Sequence, residues 1–354
     1  MIFLKKLILL FIFILFMSAC STDVPSEQVT SEETFLEEVI TTDLDIPWNL
    51  NKVENTFYVS ERSGIIIEIH GSNGLKIDQT INVTKEILHE GEGGLLGFIV
   101  APDFEQSKVA FAYHTYTQSG LVLNRIIALE LEENTWKEVA VLLEEIPGGR
   151  THNGGRIAIG PDGKLYATTG DAGQPDYSQD TENLAGKILR MELDGTIPND
   201  NPFDYSYVYS YGHRNPQGLA WDENGTLYSS EHGPTGHDEI NLIEPGNNYG
   251  WPIIKGDQQE TNMVTPLFHS GDETWAPSGI AIKDNKIYVA NLRGLHIRMF
   301  NLTDRTESIF YEYGGRLRDV LIEENTLYTI TNNRDGRGTP QDDDDKLIKI
   351  KLSE

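Results

Sequence analysis

The segment GGRTHNGGRIAIGPDGKLYATTGDAG, residues 148–173, sets one histidine, His152, between two glycine pairs and ends on a glycine-flanked acid, Asp171. Gly148, Gly149, Gly154 and Gly155 allow close approach of a ligand to the backbone and leave the imidazole uncrowded. Imidazole titrates near neutral pH, so such a side chain can exchange a proton with a bound substrate. Taken singly, a histidine here is an ordinary turn residue and TGDAG an ordinary Asx turn. Other candidates are cationic. YGHRNP puts Arg214 and Asn215 beside a proline turn, NLRG carries Arg293, and GRLRD spaces Arg316 and Arg318 so that both face one side of a strand. With 28 Lys and Arg against 55 Asp and Glu, arginines converging at one end would form a positive site in an otherwise repelling field. Ordinary strand-end ion pairs are the alternative. The acidic run QDDDDK, residues 341–346, sends adjacent carboxylates to opposite faces of an extended chain and reads as a solvated loop.

The elements that must position these groups repeat. NTFYVSE, KVAFAYH, GKLYATTGD, GTLYSSEHG, NKIYVANL and NTLYTITNN are six short β runs, each preceded by another apolar strand and most followed by a third. PDGK and ENGT are hairpin turns. A period of roughly 40 to 60 residues built of antiparallel strands predicts an all-β fold, a six-bladed β-propeller with four-stranded blades. FLEEVITTDL and DKLIKIKL, at the two ends, can pair and close the ring. A sandwich or barrel would not need the repeat. In a propeller, equivalent loops of distant units meet in one pocket.

The bulk composition restricts partners. A net charge of −27 excludes a phosphate-backbone ligand, because nucleic-acid binding needs clustered Lys and Arg. Lys5 and Lys6 precede the apolar run Leu7–Phe16, of signal-peptide length, and MSAC follows, similar to a bacterial lipoprotein processing site. The expectation is a signal peptide over 1–19, acylation of Cys20, a flexible acidic tether over 20–38, a propeller over 39–354, and an extracytoplasmic protein held to the membrane by its lipid. Cys20 is the one cysteine, so no disulfide forms within the chain.

Together THNGGRIAIGPDGKLYATTGDAG, YGHRNPQGLAWDENGTLYSSEHGP, DEINLIEPGNNYGWP, GEGGLLGFIVAPDF and GRLRDV resemble the soluble quinoprotein glucose and sorbosone dehydrogenases, in particular the aldose sugar dehydrogenases. The resemblance covers nearly the whole mature chain. It implies pyrroloquinoline quinone and Ca²⁺ as cofactors, an aldose as substrate and an external electron acceptor. It makes His152 the general base for the anomeric hydroxyl, Asp171 its support, and Arg214 and Asn215 the contacts to the quinone end. Arg293, Arg316 and Arg318 match residues that bind the cofactor's carboxylates. Gly233 and Pro234 match carbonyls that hold its calcium, and Glu239 and Tyr249 match a second, structural calcium site. Two positions depart from the pattern. Glu92 stands where glucose dehydrogenases have a cofactor-contacting glutamine, and a carboxylate there needs a proton, a cation or another orientation. Thr151 stands where glucose-specific enzymes have aspartate, so their sugar preference does not carry over. A propeller that binds sugars or a protein without turnover, and a lactonase propeller, are the rival functions.

Overall fold

A computed structural model describes residues 37–352. The expected signal peptide, Cys20 and most of the tether lie outside the described residues. Four antiparallel four-stranded sheets follow the repeat. One holds Ile157–Ile159, Leu165–Thr169, Lys187–Met191 and Val208–Tyr211; the next holds Pro216–Trp221, Leu227–Glu231, Glu239–Ile243 and Phe268–His269. A third runs Pro277–Lys283, Lys286–Asn291, His296–Asn301 and Glu307–Glu312. In the fourth, Leu317–Glu323, Thr326–Thr331 and Leu347–Lys351 are completed by Glu37–Thr41 from the other end of the chain, with Glu37 opposite Ile350 and Val39 opposite Ile348. The expected ring closure is therefore present. Glu37 and Glu38, assigned to the tether by composition, open this strand; it is the outermost of its sheet, and its first residues face solvent.

The remaining sheet has eight strands. It consists of two antiparallel meanders, Pro47–Val53 to Lys76–Asn82 and Leu95–Val100 to Thr135–Pro147, joined where Thr80–Asn82 runs parallel to Thr135–Lys137. The repeat did not reveal this fusion, because outer-edge pairing depends on the length of Thr135–Pro147 and not on its periodicity.

The leading strands contact one another in a closed circuit. Pro47–Val53 touches Leu95–Val100, that strand touches Ile157–Ile159, and the contacts continue through Pro216–Trp221, Pro277–Lys283 and Leu317–Glu323 back to Pro47–Val53. The fold is a β-propeller. Each sheet is covered on both faces by its neighbours, so its second strand is apolar on both sides. Thus Leu227 and Tyr228, Ile287 and Tyr288, and Leu327 and Tyr328 are all buried although successive side chains point oppositely.

The axis is polar. Asp319 Oδ2 accepts hydrogen bonds from Asn49 Nδ2, the Leu50 N–H and Arg156 Nη1, each at 2.8 Å. The Arg156 guanidinium lies 4.5 Å from the Trp48 ring centroid. Gly279 passes so close that a Cβ there would sit 1.7 Å from Asp319 Oδ1. One carboxylate thereby ties three leading strands together. The acidic run near the C-terminus is only half solvated. Asp342 and Asp343 are exposed, but Asp344 and Asp345 are buried. Asp345 Oδ1 takes the Thr331 hydroxyl at 3.0 Å and the Asn333 N–H at 2.5 Å, donors that sequence alternation does not show.

Candidate functional site

Because strands alternate in direction, the loops before each leading strand and after each second strand share one end of the propeller. His152 precedes Ile157–Ile159, Asp171 follows Leu165–Thr169, and Arg214 precedes Pro216–Trp221. His152 has φ +58°, a left-handed conformation uncommon outside glycine. It is held there by the Ala172 N–H, which donates to the His152 carbonyl at 3.1 Å. The neighbouring glycines serve this lock. A Cβ on Gly170 would lie 2.0 Å from the His152 carbonyl oxygen, and Gly154 (φ +62°) donates its N–H to Asn215 Oδ1 at 3.0 Å. The chain's own backbone, as much as a ligand, demands the small residues.

The His152 imidazole, 19% exposed, meets Asp171 Oδ1 through Nδ1 at 2.7 Å. A carboxylate on Nδ1 requires the proton on that nitrogen, which leaves Nε2 as an acceptor. Among the described residues nothing hydrogen-bonds Nε2. Asp171 is fully buried and also takes the Gly173 N–H at 2.8 Å on Oδ1 and Trp251 Nε1 at 2.9 Å on Oδ2. Its own N–H donates to the Arg214 carbonyl at 2.8 Å, which brings the cation loop against the histidine loop.

Glu92 links this pair to the arginines. Its Oε2 accepts the His152 N–H at 3.0 Å and its Oε1 accepts Arg337 Nη1 at 2.9 Å. Burial opposes ionisation of Glu92, but the His152 N–H and the charge of Arg337 outweigh it and pull the carboxyl down to about 2. Arg337 thus supplies the cation that a carboxylate at this position needs. Arg337 also contacts Asp335 Oδ2 at 3.2 Å, and that carboxylate takes Arg316 Nη2 at 2.7 Å.

Arg316, just before the strand Leu317–Glu323, and Arg318 within it meet at Asn332. Arg316 Nε donates to the Asn332 carbonyl and Arg318 Nη2 to the Asn332 side chain, each at 3.1 Å. Arg62 joins them, with Nε on the Gly93 carbonyl at 3.1 Å and Nη2 on Gly91 at 2.6 Å. Burial, with the like charges of Arg316, Arg337 and Arg62, pushes Arg318 well below the usual arginine range. Four guanidiniums face the carboxylates Glu92 and Asp335, so the cluster is short of negative charge.

Two small cavities and a cleft run through this region. Arg62, Glu92, Arg318, Arg337 and His232 line one cavity; His232, Arg214, Gly233, Pro234, Glu239 and Trp251 line the other. The cleft, about 240 Å³, is bordered by Arg293, Arg316 and Arg337, and Arg293 is exposed there. Burial, against the opposing charges of Asp238 and Glu92, holds His232 below the usual histidine range. Arg214 Nε, Asn215 Nδ2, Arg318 Nε and His232 Nε2 are buried without a hydrogen-bond partner among the described residues. Such orphans are rare and fit a missing polar guest.

The residues expected to bind metal fit unevenly. The Gly233 carbonyl accepts Arg214 Nη1 at 2.7 Å, and the Gly233 N–H donates to Asp238 Oδ1 at 2.8 Å. Glu239 is pushed up to about 8, first by burial and then by the charge of Glu231. A cation would relieve that strain. The Tyr249 hydroxyl donates to the Leu242 carbonyl at 2.7 Å and accepts the Glu244 N–H, so the phenol is committed away from Glu239. Among the described residues no group of three or more His, Cys, Asp or Glu side chains could hold a metal ion.

Sequence reasoning missed Arg62, Arg337, Asp335 and Trp251. Arg337 had a signal, a cation between Gly336 and Gly338 that resembles the glycine setting of His152; Arg62 and Asp335 had none. Trp251 stood in a quoted motif but its partner, Asp171, is 80 residues away.

In this propeller the His152–Asp171 pair is joined through Glu92 to a cavity lined by Arg62, Arg318 and Arg337. The sequence profile of the Glucose / Sorbosone dehydrogenase family matches residues 44–347, and the chain belongs to that family. It is 35% identical over 266 residues to quinoprotein glucose dehydrogenase B of Acinetobacter calcoaceticus; the match covers 66% of this chain but only 55% of that relative. It is 29% identical over 342 residues to aldose sugar dehydrogenase YliI of Escherichia coli, covering 84% of this chain and 90% of that one. The structure of the PQQ-bound aldose sugar dehydrogenase of Streptomyces coelicolor superposes with a TM-score of 0.83 at 37% identity, over 90% of this chain and 98% of the other.

Proposed function

We propose that the protein is a quinoprotein dehydrogenase that oxidises the anomeric carbon of aldose sugars to lactones. The observation that carries this reading is the His152–Asp171 pair joined through Glu92 to an under-neutralised set of arginines. His152 Nε2 takes the proton of the anomeric hydroxyl. Asp171 holds the Nδ1 tautomer and stabilises the imidazolium that results, a role worth about 10² to 10⁴ in rate for such a base. Arg316, Arg318, Arg62, Arg337 and Arg293 supply positive charge for a tricarboxylate, and the free Nε of Arg214 and amide of Asn215 are donors for the other end of the guest. When bound, pyrroloquinoline quinone would supply the two-electron acceptor for the hydride and pass the electrons to an external acceptor. Carbonyls of Gly233 and Pro234 would hold one Ca²⁺, with Glu239 and the Tyr249 carbonyl near a second. Such an ion would polarise the bound guest and offset the Glu239–Glu231 repulsion.

The eight-stranded sheet reads as two blades sharing an edge, which makes the propeller six-bladed; the circuit of leading strands supports this count. We also propose that residues 1–19 are removed, that Cys20 is acylated and that the enzyme works outside the cytoplasm on a lipid anchor. The test supplies purified protein with Ca²⁺, pyrroloquinoline quinone, an aldose panel and an artificial acceptor. Acceptor reduction by wild type, with loss of most turnover but retained quinone binding in His152→Ala, is the expected result. Quinone binding with no reduction by any sugar would make the protein a binding propeller instead.

A further inference from the structure

Asp171 can serve His152 only if its buried carboxylate does not rotate. Oδ1 is shared by His152 Nδ1 and the Gly173 N–H, whereas Oδ2 has Trp251 Nε1 at 2.9 Å. Among the described residues that indole is the single donor to Oδ2. Trp251 makes a second contact on the same side. The Arg214 guanidinium lies 5.3 Å from its ring centroid, while Arg214 Nη1 reaches the carbonyls of His232 and Gly233 at 3.1 and 2.7 Å. The tryptophan is itself anchored to both loops it touches. Its N–H donates to the Gly212 carbonyl at 2.9 Å, just before Arg214, and its carbonyl accepts Gln179 Nε2 at 2.7 Å, from the turn Pro175–Gln179 that follows Asp171.

We infer that Trp251 is a positioning residue of this site: its indole N–H fixes the carboxylate of Asp171 toward His152 while its ring face holds the Arg214 guanidinium. One side chain thereby sets the spacing between proton acceptor and cation. An ionised acceptor gives this N–H a charge-assisted bond, stronger than a neutral one. A guanidinium over an indole is likewise held without using its N–H groups, which leaves Arg214 Nε available. The inference rests on the dehydrogenase reading for its kinetic consequence but not for the contact itself.

Trp251→Phe removes the N–H and keeps a ring under Arg214; Trp251→Leu removes both. In protein without cofactor, the His152 Nδ1–H resonance followed by ¹H–¹⁵N NMR should exchange with solvent about tenfold faster in Trp251→Phe than in wild type. In reconstituted enzyme kcat should fall about tenfold with sugar KM within about twofold, and Trp251→Leu should lose about a further fivefold. An unchanged resonance overturns the inference even if kcat falls, because Trp251 then acts by touching the guest. An altered resonance with unchanged kcat also overturns it. Equal losses in the two variants remove the Arg214 half. If wild type oxidises no aldose, the functional reading fails while the NMR comparison still decides the contact.

Discussion

Replacing Asp319 by alanine should be among the most damaging single changes to the fold. The residue is 3% exposed, and its side chain joins Asn49, Leu50 and Arg156, which belong to the leading strands of different sheets or lie beside them. The guanidinium of Arg156, a residue 4% exposed, keeps only its Nε bond to the Gln217 carbonyl and its place over Trp48 once the carboxylate is gone. Breaking a buried pair by removing one partner costs about 3–5 kcal/mol, and each stranded donor about 1–3 kcal/mol more before relaxation. A net loss of about 5 kcal/mol follows after allowing for non-additivity. With about 320 described residues, an unfolding entropy of about 2.1 cal/mol/K per residue converts this to a fall in Tm of about 7 °C. Asp319→Asn keeps the volume and one acceptor oxygen, so it should lose about half as much. Scanning calorimetry of the purified variants measures both. A Tm within about 1 °C of wild type for the alanine variant would show that the axial carboxylate does not hold the ring together.

Two further outcomes follow from individual carboxyls. Asp171→Asn presents an NH₂ to a position where Trp251, Gly173 and His152 all donate; kcat should fall about 10² to 10⁴-fold with quinone affinity within about threefold, and near wild-type turnover would sink the tautomer argument. Glu61 is pushed up to about 7 by burial, against the opposing hydrogen bond from the Asp45 N–H at 2.6 Å. Below the unfolded value of 4.5 both states are protonated; between there and about 7 the unfolded chain ionises first, so stability falls as pH rises and then levels off. Glu61→Gln should flatten that slope and gain about 2–3 kcal/mol over wild type between pH 4.5 and pH 8 in urea titrations, whereas a difference independent of pH would exclude Glu61 as its source.

Much of this molecule is legible one stretch at a time. Strand–turn–strand units, the tyrosines of their second strands, the glycines around His152 and the two-residue spacing of Arg316 and Arg318 are local patterns. Backbone sterics and side-chain alternation act over a few residues, and these patterns record them. Ring closure was legible as well, since both chain ends carry unpaired strand patterns. What the pattern misjudged lies where distant partners decide. Glu37 and Glu38 look like tether because an outermost strand faces water, and Asp345 looks solvated until the Thr331 hydroxyl and Asn333 N–H are placed beside it.

The site divides the same way. His152 and Asp171 stand out by residue type and glycine setting and Arg214 and Asn215 by the family resemblance, but nothing in their own segments shows that Glu92 would be neutralised by Arg337 or that Trp251 would hold Asp171. The sequence alone determined the repeating strands and the candidate donors and acceptors, because those depend on neighbours along the chain. The tertiary structure alone decided which charges are paired, which polar atoms are left open and which side chain governs another. Closing the ring brings loops far apart in sequence within hydrogen-bond distance, and their energies are set by burial that exists only once it has closed.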